Sequence, residues 1–519
     1  MTRPASLIRL SVLSAFFAAT FLSPLPAAEF APVFTHSAVL QRDQPIAIWG
    51  TGREGEKVTV ELLDHSASTT VTAGRWSVTL PASPAISSTT LRLRGDTTRE
   101  LSDIAIGEIW LGLGQSNMEW RLNQCPPFTD ALLASADNAA IRQLKIPLRP
   151  YAGDPMLPFV WKKFDRSNAP YFSAVTYFFS TELQKKLGVT VGIVNCSFGG
   201  TPIEAWMSRE ALATAGMSAL LADHDRKLAV WPDFSAYDKA WRDYDSARKA
   251  YEERKKANPS DPALGAQPAE PYGFRTKGRP AGLRDSMLAL VTPYTARGAL
   301  WYQGENNAGK PDDYLRMLPA FMAELRASWG RPDLPVYIGQ LSSPTANWPD
   351  EKEGYAPLRE VQRAIALADP NSGFVVSLDH GERGNVHPKN KQPVGERFAR
   401  LALTRVYGES GYAAQSPSAS NATLTPTHVA IAFRDLPGRL ELRDPALPTL
   451  EILTAGFWKP ASATLGPDGK SLLVALPASS TPADSPPKAV RYAYRNFCAL
   501  SLFSDEGLPV GPWIMPVTP

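Results

Sequence analysis

Between Ile104 and Gly408 the chain repeats one pattern: a short apolar run, a turn of glycine and polar residues, then an amphipathic helical stretch. The apolar runs are "IAIGEIWLGLG", "VTVGIVNCSFGG", "RGALWYQG", "LPVYIGQL" and "GFVVSLDHG". Between and after them come "FSAVTYFFSTELQKKLG", "PDDYLRMLPAFMAELRASWG", "LREVQRAIALAD" and "QPVGERFARLALTRVYG". The runs lack polar alternation, as expected of strands covered by helices on both faces. Strand, then helix, then strand predicts an α/β fold with a doubly wound parallel sheet. Such sheets bind ligands outside the carboxyl ends of their strands, near the switch in strand order.

By that rule the residues just past each run are the ones placed to meet a ligand. The first run leads into Gly114-Gln115-Ser116-Asn117, the second into Gly199-Gly200-Thr201. The third leads into Gln303-Gly304-Glu305-Asn306-Asn307, and the last into a loop from Asp379 to His387-Pro388. Strand topology alone should gather these segments at one sheet edge.

The flanks have another rhythm. From 29 to 102, short alternating strands such as "PIAIWG", "KVTVELL" and "GRWSVTLPA" predict an N-terminal β-sandwich. From 411 to 519, "HVAIAF", "RLELR" and "SLLVALP" predict a C-terminal β-rich region. The α/β unit then spans 103–410 and carries a charged helical insertion at 207–284. In that insertion Tyr237, Trp241, Tyr244 and Tyr251 share one helical face. The stripe packs the helix onto the body or forms a sugar-stacking lid.

Arg3 and Arg9, the apolar "LSVLSAFFAATFL" and the small residues ending at Ala27-Ala28 read as a cleaved export signal over 1–28. The apolar core is too short to span a bilayer comfortably. The expected location is therefore secreted or periplasmic, with no stable membrane span. Net charge is +3 with both signs mixed, which offers no footprint for nucleic acid. The three cysteines, Cys125, Cys196 and Cys498, make no disulfide framework and have no metal-ligand spacing. Neither cofactor nor metal is expected.

Acyl transfer needs a nucleophile, a base and donors for a developing oxyanion. Ser116 is the candidate nucleophile, just past a strand end. Its own N–H, those of Gly199 or Gly200, and the amide of Gln303 or Asn307 are candidate oxyanion donors. Gln115, Asn117 and Glu305 are candidate supports. His387 is the candidate base, with His380 behind it. The acid that would orient the base is open among Asp379, Glu382 and Glu305. A backbone carbonyl could also serve, which would leave a Ser–His dyad.

These residues resemble the sialate O-acetylesterase family of SGNH hydrolases. The resemblance is carried by "GEIWLGLGQSNMEW", "GIVNCSFGGTPIEAW", "ARGALWYQGENN" and "VHPKNKQPVGERFARLAL", and continues into both flanks. It implies an SGNH-type, flavodoxin-like sheet and a metal-free serine esterase of acetylated carbohydrates, sialate or plant polysaccharide. It maps the nucleophile onto Ser116 and the base onto His387. The oxyanion glycine falls within Gly199-Gly200. Many relatives have Asp two residues before the histidine, where this chain has Asn385, which favours Asp379 or a dyad. Two other readings stand beside it. One is a non-catalytic glycan-binding protein on an esterase fold. The other is an esterase of longer acyl chains, with Trp120, Phe198 and Trp206 as apolar cleft walls.

Overall fold

The computed structural model describes residues 27–519 apart from 126–127, 135, 262, 346–348, 350–352, 445–448 and 477–485. The expected export segment, save its last two residues, lies outside the described residues. Among the described residues no helix is long and apolar enough to cross a membrane.

The apolar runs form the strands β1 (Thr98–Gly114), β4 (Val191–Ser197), β5 (Gly298–Tyr302), β6 (Val336–Gly339) and β7 (Ser372–Val375) of one sheet. Two further strands, β2 (Asp137–Lys145) and β3 (Trp161–Asp165), extend its edge, giving the order β3-β2-β4-β1-β5-β6-β7. All neighbours are parallel except β2 and β3. The order β4-β1-β5-β6-β7 is that of a flavodoxin-like sheet, with its switch at β1.

Successive side chains of a strand point to opposite faces, and both faces here are apolar. On one face Leu111, Leu113, Trp301 and Ile338 pack with Leu318 and Phe321 of α4 (Pro311–Ser328) and Leu358 of α5 (Ala356–Ala368). On the other, Trp110, Ile193, Leu300 and Tyr337 pack with Phe179 of α2 (Ala174–Leu187) and Phe398 of α6 (Gln392–Arg405). Helices on both faces explain why the runs read as unbroken apolar stretches.

The strand β1 is 17 residues long, and its first part pairs with Ile86–Arg94 and Val39–Gln41 of the N-terminal region. The sheet thus runs across the expected boundary at 102/103. The C-terminal strands enclose a separate core around Ile431, Ile452, Val490 and Trp513. In the insertion, α3 (Phe234–Ala257) buries Tyr237 against Trp231, Phe234, Trp241 and Phe274. This part of the aromatic stripe packs against the insertion's own return limb. All three cysteines are free, with Cys196 buried inside β4.

Candidate active site

The strand tips meet at the switch point. β1 ends at Gly114, whose φ of +132° and whose approach to Tyr302 leave no room for a Cβ, which would stand 2.2 Å from the Tyr302 carbonyl oxygen. The chain then turns into the one-turn helix α1 (Ser116–Glu119), with Ser116 at its first position. The N–H of Ser116 has no hydrogen-bond acceptor among the described residues, as expected at a helix start.

Ser116 Oγ stands 2.8 Å from His387 Nε2. Residues 271 apart in sequence are thus joined by the strand tips. Burial, then the Lys391 ammonium, pushes the His387 imidazole below its ordinary range, so the ring is held in its neutral, proton-accepting form. The His387 ring stacks on Trp120, with centroids 4.5 Å apart and planes 22° from parallel.

The loop that carries His387 is fastened from several sides. The His387 N–H donates to Asn385 Oδ1 at 3.0 Å, and Asn385 Nδ2 donates to Glu382 Oε2 at 2.8 Å. Ser343 Oγ donates to the Asn385 carbonyl at 2.7 Å. Asn117, fully buried, donates to both Glu305 Oε1 (2.5 Å) and the Val386 carbonyl (3.0 Å). Lys391 Nζ donates to Asn117 Oδ1 at 2.5 Å, and burial pushes that lysine down to about 8. Asn117 therefore ties three strand tips together.

The second strand tip brings Gly199 beside the serine. A Cβ on Gly199 would stand 3.3 Å from Ser116 Cβ. Its N–H donates to Glu119 Oε2 at 2.7 Å, and its carbonyl accepts from Lys277 Nζ at 2.8 Å. Lys277 belongs to the insertion, so the insertion reaches the site. Among the described residues the Gly200 N–H has no acceptor.

Some expected partners lie elsewhere. Asp379 does not face His387: both its oxygens accept from Arg397 of α6, at 2.8 and 2.6 Å, and His380 lies 3.3 Å away. The turn Leu378–His380 directs this carboxylate toward α6, where a planar guanidinium matches it with two donors. Glu382 holds the loop and the half-buried Glu305 is a partner of Asn117, and neither is hydrogen-bonded to the His387 ring. Among the described residues His387 Nδ1 has no hydrogen-bond partner, and His380 faces Asp379 rather than Ser116.

Gln303 and Asn307 also turn inward. Gln303 Nε2 donates to Asn307 Oδ1, Gln115 Oε1 and the Thr201 carbonyl, while Asn307 Nδ2 donates to Glu204 Oε2. Both amides are buried. The amide at the site's surface is Asn306, which sequence reasoning misses: its Nδ2 reaches the Gly200 carbonyl at 3.1 Å and its Oδ1 accepts from Gln115 at 3.4 Å. Trp206 is buried with its indole N–H on Thr201 Oγ1, so it lines no cleft.

A serine hydroxyl against a neutral imidazole, with backbone donors beside it, can deliver a nucleophile to a carbonyl. A family model described as carbohydrate esterase, sialic acid-specific acetylesterase, matches residues 283–404. The sialate O-acetylesterase of Rattus norvegicus is 28% identical over 435 residues, covering 75% of this chain and 75% of its own. That of Homo sapiens is 26% identical over 437 residues, covering 75% of this chain and 73% of its own. A carbohydrate acetylesterase structure from Xanthomonas citri aligns with a TM-score of 0.75 at 29% identity, over 94% of this chain and 99% of that one. The chain is thus similar to sialate O-acetylesterases along three quarters of its length. These similarities identify a carboxylic ester hydrolase on an SGNH-type sheet. The stretch matched by the family model runs from before β5 to within α6, and so contains Asn306 and His387.

Proposed function

We propose that the protein is an exported serine esterase that removes O-acetyl groups from carbohydrates. Ser116 Oγ attacks the acetyl carbonyl carbon while His387 Nε2 takes the hydroxyl proton. The carbonyl oxygen becomes an oxyanion, received by the N–H groups of Ser116 and of Gly199 or Gly200, with the Asn306 amide beside them. Glu119, which holds the Gly199 N–H at rest, gives way to that oxygen. The bond from the acyl carbon to the sugar oxygen breaks, and His387 returns its proton to the departing hydroxyl. Water then attacks the acetyl-serine with His387 as base, releasing acetate and restoring Ser116.

The observation that carries this reading is the 2.8 Å Ser116–His387 contact at a strand tip beside Gly199. The same contact weighs against a non-catalytic glycan-binding role. The inward position of Trp206 and the cover of Phe198 by Lys277 weigh against a long apolar acyl channel. The orienting role expected of Asp379 falls instead to the Trp120 stack and the Asn385 clamp, leaving a Ser–His dyad. The test is acetate release from acetylated xylan, xyloglucan, pectin and O-acetylated sialic acid. Release from at least one, abolished by Ser116→Ala, is expected. Turnover of 4-nitrophenyl acetate without release from any carbohydrate would overturn the substrate class.

A further inference from the structure

Beside the cleft that holds Ser116 lies a second cavity of about 380 Å³ that no part of the reaction uses. The two share Glu119 and Arg121 as lining residues, so they adjoin. Its floor is made by two amides, Gln143 on β2 and Asn195 on β4, which are 5% and 1% exposed.

Both amides are oriented by what their oxygens accept. Gln143 Oε1 takes the Ser173 N–H at 3.1 Å and the Thr176 hydroxyl at 3.4 Å. Asn195 Oδ1 takes the Ser197 hydroxyl at 2.6 Å and Lys145 Nζ at 3.3 Å. That leaves Gln143 Nε2 and Asn195 Nδ2 as donors, and neither has an acceptor among the described residues. Both residues line the cavity, so their free N–H groups are available there to the acceptors of a ligand. Tyr171, a residue 53% exposed, also lines the cavity, and Lys162 Nζ sits 5.7 Å from its ring centroid.

Amide donors and an exposed aromatic ring in one cavity suit a sugar: hydroxyl and ring oxygens accept the N–H bonds, and the C–H face covers the ring. We infer that this cavity is a subsite for the sugar next to the acetylated one, so that the enzyme acts on oligosaccharides in preference to single sugars. The inference rests on the carbohydrate reading proposed above.

The experiment measures kcat/KM on O-acetylated xylo-oligosaccharides from the monosaccharide to the tetrasaccharide, with 4-nitrophenyl acetate alongside. For the unaltered enzyme kcat/KM should rise about tenfold once a second sugar is present, mostly through KM. Tyr171→Ala, and Gln143→Glu, which keeps Oε1 and removes the donor, should erase that rise. Their loss should be severalfold greater on the oligosaccharides than on 4-nitrophenyl acetate, which keeps the readout independent of any general damage to the fold. A flat dependence on chain length, or equal losses on all substrates, overturns the subsite while leaving the carbohydrate reading intact. Hydrolysis of 4-nitrophenyl acetate with no release from any sugar overturns both, and overturns the carbohydrate reading first.

Discussion

Trp120 lies face to face with His387, ring centroids 4.5 Å apart, and no carboxylate reaches the other side of that imidazole among the described residues. In a serine hydrolase the group behind the histidine steadies the ring and favours the imidazolium that forms as it takes the proton. An indole face can do part of both: stacking fixes the ring plane, and the π cloud attracts the cation. Trp120→Ala should therefore lower kcat about tenfold with little change in KM, and Trp120→Phe should recover part of the loss. Steady-state kinetics on 4-nitrophenyl acetate decide it; a kcat unchanged in the alanine variant removes Trp120 from any positioning role.

Ser116→Ala removes the nucleophile without touching the core. Turnover should fall at least about 10³-fold while the thermal transition stays in place. Retained acetate release would mean that another hydroxyl does the work.

Asp379 pairs with Arg397 in a largely buried site, the two side chains 9% and 11% exposed. Asp379→Asn should cost stability, on the order of 3 kcal/mol, because it leaves the guanidinium without its counter-charge. The kcat/KM of the folded fraction should stay within about tenfold of the parent, where loss of an orienting acid costs about 10⁴. A thermal melt and active-site-normalised kinetics separate these effects. A loss of about 10⁴-fold in folded enzyme would restore Asp379 to the triad.

His387 must be neutral to accept the serine proton, so kcat/KM rises as pH climbs through its pKa. Burial and Lys391 both lower that pKa, which places the acid limb of the profile below the usual value of about 6.5. Lys391→Met removes the second cause and should move the limb toward neutral pH. A limb that stays put shows that burial alone sets it.

Glu119 and an incoming carbonyl oxygen compete for the Gly199 N–H. A neutral amide oxygen is the weaker competitor, because charge-assisted hydrogen bonds are roughly twice as strong as neutral ones. Glu119→Gln should lower KM for 4-nitrophenyl acetate severalfold. A raised KM would show that Glu119 supports the donor rather than blocking it.

The repeated apolar runs are enough to read the parallel sheet and to place Ser116, Gly199 and His387 at one edge, because each lies in the segment just past a strand. The inner amides are harder. Gln303, Asn306 and Asn307 all sit in one short turn, and which of them faces outward depends on the 3-10 winding of Glu305–Asn307 against Gln115. Asp379 is near His387 in sequence, but its partner Arg397 lies on the helix after the loop and offers a two-donor fork. Nothing local marks Glu119, because its partner, Gly199, is 80 residues away.

What the sequence determined by itself was periodic and local: the order of strands and helices, and the turns at their ends that carry Ser116 and His387. Those come from the apolar pattern and from residues adjacent to strand tips. Only the tertiary structure decided what stands behind His387, which amide faces the cleft, what holds Gly199, and that a second cavity adjoins Ser116. Those depend on side-chain directions and on partners brought together across the sheet, where a rotation of one turn changes which atom meets which.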